Sequence, residues 1–368
     1  MKITAKIIKG LDYKFKLDTE LDIYELDNFN INEAKTNCVV KGEKFTFSLS
    51  KWVSPKRTRS YPYAKVYNTL KNFTKRITVI PIIKDEGKKG DRDFIQWDTV
   101  SLMSLLDVFV IFAYYKDAEK HQKKKDKVTN QILDDVLVKN KIIEIKQYLS
   151  SPLHWNLKEV NTTFPELIKN VKSTYRRLNK ELGVSFHNEA GIDRFAKQFI
   201  GGVDNFMSTS RHKAQQAQNR ENLTVQPKES LSTLTKATIT IKNFLGGEYY
   251  FTTDEIIIDE NNIYLIEAKH ASKAKLPSFN DIKDGLLKMI LYTNLEEVYV
   301  EDTKYNPKPT LRLTSTFLIG KITSNDNNKS INAFIKKNKF SKSQTDKIYY
   351  LFQEAIENDF KVIIENAE

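Results

Sequence analysis

Residues 252–270, TTDEIIIDENNIYLIEAKH, hold two β-branched runs separated by Asp259-Glu260-Asn261-Asn262. A turn-rich tetrad between apolar runs predicts a tight β-hairpin. Side chains alternate faces along a strand, so Leu265, Glu267 and Lys269 share one face of the second strand, and Tyr264, Ile266 and Ala268 share the other. Glu267 and Lys269 therefore project side by side from an otherwise apolar run. Asp254 stands at the mouth of the first strand, where a hairpin can bring it beside Glu267.

Two converging carboxylates repel each other unless a cation sits between them. Hard oxygen donors of this kind suit Mg²⁺, with Mn²⁺ able to substitute. Such an ion acidifies water and offsets charge on a phosphate, while Lys269 can hold or help deprotonate the attacking water and stabilise the developing charge. As a bare pattern, an acid, twelve residues and then E-x-K is weak in a lysine-rich chain. Its apolar hairpin context strengthens it. The bland alternative is a solvent-facing sheet edge on which Glu267 and Lys269 merely pair with each other.

Asp254 followed by Glu267-Ala268-Lys269 on a hairpin resembles the PD-(D/E)xK nuclease superfamily, which includes most type II restriction endonucleases. The resemblance covers roughly residues 185–325, in the order helix, strand, Asp strand, E-x-K strand, helix. It implies an α/β chain with a restriction-endonuclease-like core, a central mixed sheet flanked by helices. It also implies Asp254 and Glu267 as metal ligands and Lys269 as their catalytic partner. Many members carry a further acid on the preceding helix, and Glu189 in HNEAGIDRFAKQF is the best match, with Asp193 second. Thr253 replaces the proline usual before the aspartate. The adjacent Glu255 is a second candidate for the ligand position, Asp254 being preferred.

Outward from this core, 368 residues allow two or three domains. We expect an N-terminal α/β accessory or DNA-recognition domain over 1–160 and the endonuclease domain over 161–368, with the boundary between about 150 and 185. Residues 2–17 and 37–49 read as strands or hairpins, and 77–83 as a short strand. The charge run 117–127, DAEKHQKKKDK, reads as a solvated helix end or linker, and 128–149 as a helix. Phe164–Ile200 reads as two helices broken near Gly183, and 208–230 as a polar loop or arm. Beyond the hairpin we expect a helix near 280–292, a strand near 311–322, and helical spacing over 328–365.

The chain carries 59 Lys+Arg against 47 Asp+Glu, a formal +12, which favours a polyanionic partner but also arises from genome composition alone. Candidate DNA contacts are Lys273 and Lys275 just past the E-x-K strand, Arg57 and Arg59 beside tyrosines in SPKRTRSYPYAKVY, and Arg211 and Lys213 in the polar arm. The plain alternatives are, in turn, a solvated loop, a proline-containing surface loop with no ligand, and a disordered arm. The acids Asp85, Glu86, Asp91, Asp93 and Asp98 could form a second metal site, but alternate with Lys, Arg and Gly and read better as a structured loop.

One cysteine, Cys38, excludes an internal disulfide framework. The five histidines lack zinc-hydrolase spacing, and no phosphate-binding glycine loop or nucleophile elbow is present. No apolar run reaches membrane-spanning length and the N-terminus is charged early, so we expect a prokaryotic cytoplasmic protein with no membrane partner. The resemblance implies double-stranded DNA as substrate, a homodimer that cuts both strands, and a cognate methyltransferase encoded nearby. Other readings are a structure-specific repair or defence nuclease of the same fold, a non-catalytic DNA-binding protein, and a protein–protein scaffold.

Overall fold

The structure, a computed structural model, describes residues 2–17, 19–56, 62–71, 75–200, 202–209, 212 and 237–367. The chain is mixed α/β and divides into two compact units, Met1–Glu20 with Gln226–Glu368, and Leu21–Val225. This division differs from the expected boundary near 160. The physical reason is that the N-terminal strand pairs within the C-terminal sheet, leaving residues 21–225 as an insertion between two parts of one unit.

The first unit holds β1 (Lys2–Ile7), β2 (Ala237–Asn243), β3 (Glu248–Thr253), β4 (Glu255–Asp259), β5 (Asn262–Ala271), α1 (Phe279–Tyr292), β6 (Glu296–Val300), β7 (Thr303–Ser315), β8 (Lys321–Thr323), α2 (Asn328–Lys337), α3 (Lys342–Glu357) and β9 (Lys361–Asn366). Its strands form a nine-stranded mixed sheet in the order β3-β2-β1-β6-β7-β5-β4, with β9 also on β7 and β8 on β9. β1 lies between β2, parallel, and β6, antiparallel. Ile3, Ala5 and Ile7 alternate inward and are at most 3% exposed, which is why this short segment is a strand. The expected strand over 2–17 ends at Ile7. Beyond it, Lys16 and Leu17 donate their backbone N–H groups to buried Glu354 on α3.

The hairpin over 255–271 forms as the alternation predicts: β4 and β5 pair antiparallel, with Asp259 opposite Asn262 and Glu255 opposite Ile266. Glu260 turns the corner with φ 51°. β5 also pairs in parallel with β7, and α1 is the crossover that parallel pairing requires. Ser278 caps α1 by accepting from the Asp281 N–H, and Ile282, Leu286, Met289 and Ile290 face the sheet as the helical spacing predicts. Leu265, Leu311, Leu313, Val362 and Ile364 are fully buried in the sheet they cover. Two readings near the C-terminus change: the strand near 311–322 runs 303–315, and 361–366 is the strand β9 rather than helix.

The unit of residues 21–225 is built on a five-stranded sheet, 22–25, 37–42, 45–51, 75–81 and 109–113. Its core gathers Phe47, Leu49, Ile77, Val79, Ile111 and Trp155. The charge run 117–127 is a hairpin, not a helix end: Tyr115–Lys120 pairs with Val128–Leu133, and helix Asp135–Gln147 follows. Its polar residues are tolerated because this ribbon leaves many of its side chains in solvent. The helices at Phe164–Leu182 and Ala190–Ala196 break at Gly183, which adopts φ 59° as expected of a glycine ending a helix. Among the described residues no helix is long and apolar enough to cross a membrane.

Candidate active site

Asp254 occupies an unusual place in the sheet. β3 and β4 stand at opposite ends of the strand order, yet Asp254 alone separates them in the chain. The sheet therefore curls so that its two ends meet at this residue. There the Asp254 carboxylate accepts from the Ala268 N–H of β5 at 3.0 Å, which fixes it beside Glu267.

Glu267 is 1% exposed and accepts from two ammonium groups. Lys269 Nζ lies 2.9 Å from one carboxylate oxygen, and Lys288 Nζ of α1 lies 2.5 Å from the other. Lys269 also donates to Asp284 of α1 at 2.5 Å. Gly285 permits this closeness, since a Cβ there would stand 2.6 Å from Leu311 and 3.5 Å from the Lys269 side chain. Burial pushes the Glu267 carboxyl up, but Lys288 and Lys269 outweigh it and hold it below the ordinary range. Asp254 moves the other way: burial first and the Glu267 charge second push its carboxyl up, against Lys288 and the Ala268 N–H. Burial opposes the charge on Lys269, but Glu267 and Asp284 overcome it and raise the ammonium above its usual value. Lys269 is thus protonated here, which suits stabilising negative charge rather than taking a proton from water.

Tyr292, one turn beyond Lys288, is fully buried and stacks on Phe251 with ring centroids 5.6 Å apart. Its hydroxyl has no hydrogen-bond partner among the described residues. Burial, Glu267 and Asp254 all push it well above the usual phenol range, so it lies within the field of both carboxylates.

Compared with family models, curated proteins and solved structures, the chain has no match.

Asp254, Glu267 and Lys269 are thus gathered at one place. Glu255 is not among them: it shares the Ile266 face of the sheet and pairs with Arg312 at 3.0 Å, which also holds Glu365. Glu189 belongs to the other compact unit, where both its oxygens accept from Arg176 at 2.6 Å. That fork-on-fork pairing satisfies the carboxylate locally. Asp193 pairs with Lys172 in the same unit.

Among the described residues no three His, Cys, Asp or Glu side chains converge as a metal-holding group. The pair Asp254 and Glu267 nevertheless fits Mg²⁺, which is commonly held by one or two carboxylates together with substrate phosphate and water. Two features support the fit: burial and then the Glu267 charge push the Asp254 carboxyl up, and the buried Tyr292 hydroxyl, without a hydrogen-bond partner among the described residues, lies in the field of both acids.

Of the expected DNA contacts, Lys273 is exposed, while Lys275 donates to the Lys339 carbonyl at 3.0 Å. Arg57, Arg59, Arg211 and Lys213 lie outside the described residues. The acidic stretch 85–98 divides among separate partners: Asp85 contacts His187, Glu86 pairs with Lys84 and Lys127, and Asp93 accepts from Ser54.

Sequence reasoning missed Asp284, Lys288 and Tyr292. Their spacing of four residues was a legible signal, because i, i+4 and i+8 lie on one helix face. Lys283 of the same helix is 1% exposed, donating to Thr19 and lying 4.3 Å from the Phe279 ring centroid.

Proposed function

We propose that the chain is a Mg²⁺-dependent endonuclease of the PD-(D/E)xK type that hydrolyses phosphodiester bonds of double-stranded DNA, most specifically a type II restriction endonuclease. The observation that carries this reading is half-buried Asp254 held beside buried Glu267 at the junction of two strands, with Lys269 two residues beyond Glu267 on the same face. The hairpin β4–β5, the crossover helix α1 and the parallel strand β7 support a restriction-endonuclease-like core.

Asp254 and Glu267 would hold the ion. When bound, it offsets charge on the scissile phosphate and makes water a stronger nucleophile. Lys269, steered by Asp284, presents a fixed positive charge toward the same place and favours the more negative transition state. One such site cuts one strand, so cutting both at a palindrome calls for a two-fold homodimer. A cognate methyltransferase and action in the prokaryotic cytoplasm belong to the same reading. A repair or defence nuclease of this fold would use the same residues. A non-catalytic DNA-binding role draws on one observation, that each oxygen of Glu267 already carries an ammonium.

The test is incubation of unmethylated phage DNA with the protein and Mg²⁺, beside EDTA, Lys269→Ala, Asp254→Asn and Glu255→Gln. Discrete fragments should vanish with EDTA and with the first two variants, each losing roughly 100-fold or more, and persist with Glu255→Gln. Cutting that survives Lys269→Ala places the site elsewhere. Salt-sensitive binding with no cutting favours the non-catalytic role.

A further inference from the structure

We propose that Lys288 is a resident cation of this site, occupying one of the two cation positions on Glu267, so that the site accepts one divalent ion rather than two. The inference rests on the metal-site reading of Asp254 and Glu267 and specifies how many ions that site holds.

The first argument is geometric. Two-ion sites set their metals about 3.5–4 Å apart and clamp the attacking and leaving oxygens between them. A carboxylate shared by such a pair offers one oxygen to each ion. Glu267 cannot offer both oxygens to metal: Lys288 stands at one, and only at the other, where Lys269 has Asp284 as a second acceptor, can an ammonium yield to an ion shared with Asp254. Lys269 belongs to the E-x-K pair and is braced by Asp284. Lys288 comes from a different element, and its ammonium lies 2.5 Å from the carboxylate and 5.8 Å from the centroid of the Phe251 ring. The ring face adds a weak attraction that keeps the ammonium at this position.

The second argument is charge. Asp254, Glu267 and Asp284 face Lys269 and Lys288, leaving a single net negative charge when all five are ionised. One divalent ion turns this to a single positive charge, suited to a phosphodiester. A second would leave three positive charges around a carboxylate that is 1% exposed, where water screens poorly. Removing the Lys288 ammonium leaves two negative charges and uncovers one Glu267 oxygen, the condition for a second ion.

Mn²⁺ titration of the DNA-free full chain, followed by calorimetry and by electron paramagnetic resonance, tests this without reference to cleavage. The parent chain should bind one Mn²⁺. Lys288→Met should bind a second ion, or bind the first about 10-fold more tightly. Lys288→Arg should match the parent. Lys288→Gln, which keeps a hydrogen-bond donor to Glu267, should follow Lys288→Met, and it replaces that variant if circular dichroism shows Lys288→Met unfolded. Two ions on the parent, or one ion of unchanged affinity on both neutral variants, overturns the inference alone. No ion on the parent or on the neutral variants overturns the metal-site reading beneath it, and the inference with it.

Discussion

The ammonium of Lys288 and the carboxylate of Glu267 meet at 2.5 Å across the contact between α1 and β5. Glu267 remains ionised in a nearly dry place because this group, on a helix, joins Lys269, on its own strand. Stripping one partner from a buried ion pair leaves an uncompensated charge and typically costs about 3–5 kcal/mol. Lys269 remains in Lys288→Met, so we expect a loss near about 3 kcal/mol, at the low end of that range. Adding Glu267→Gln should recover part of it, because the stranded charge is then gone. Guanidinium unfolding of the two single variants and the double variant gives the coupling. Additive effects would show that the contact does not stabilise the fold.

Asp254 makes stability depend on pH. Its folded-state carboxyl lies above the ordinary range, through burial and then the Glu267 charge. A group raised on folding contributes stability fully present below its unfolded value, near ~4, and lost as pH rises through the folded value. Glu267 works in the opposite sense, its contribution being present above its unfolded value and lost as acid protonates it. In EDTA, Asp254→Asn should therefore be more stable than the parent at pH 7–8, with the difference shrinking toward pH ~4. Unfolding midpoints across this range measure it, and a gap independent of pH would contradict the assignment.

At Gly285, α1 packs tightly against Leu311 of β7 and the Lys269 side chain of β5. Alanine gains about 1 kcal/mol in helix propensity over glycine. Its methyl group would meet Leu311, fully buried, at 2.6 Å, and overpacking of a core costs about 1–3 kcal/mol. The second effect wins, so Gly285→Ala should lower stability by about 1 kcal/mol. Because the same methyl stands 3.5 Å from Lys269, cleavage should fall more than stability explains. A variant more stable than the parent would mean that α1 has room to move.

The N-terminal strand should be indispensable to the unit that carries the site. β1 is paired on both sides, and Glu354, fully buried, accepts from Tyr13 Oη at 2.7 Å as well as from the Lys16 and Leu17 N–H groups. A fragment of residues 226–368 loses these partners and uncovers two strand edges. It should show no cooperative unfolding by circular dichroism, and a synthetic peptide of residues 1–20 should restore it. Cooperative unfolding of the fragment alone would refute this role.

Several features were legible because their causes are local. The turn tetrad at 259–262 and the alternation over 262–271 place Glu267 and Lys269 on one face whatever the rest of the chain does. The same holds for the apolar stripe of α1. Other features depend on what the chain meets after collapse. A six-residue strand such as β9 carries too short a pattern to be told from helix until β7 and β8 pair with it. Glu189 matches an expected position in sequence, yet Arg176 satisfies it in another unit.

By itself, then, the sequence determined the hairpin, its charged face and the helix that follows, since each rests on residue types within a few positions of one another. Only the tertiary structure decided that residues 2–7 lie inside a sheet built more than 200 positions later. It alone curled that sheet until both ends met at Asp254, and set Lys288 rather than solvent against Glu267. Pairing between distant segments is selected by the burial and hydrogen bonding of the whole, and no local pattern encodes it.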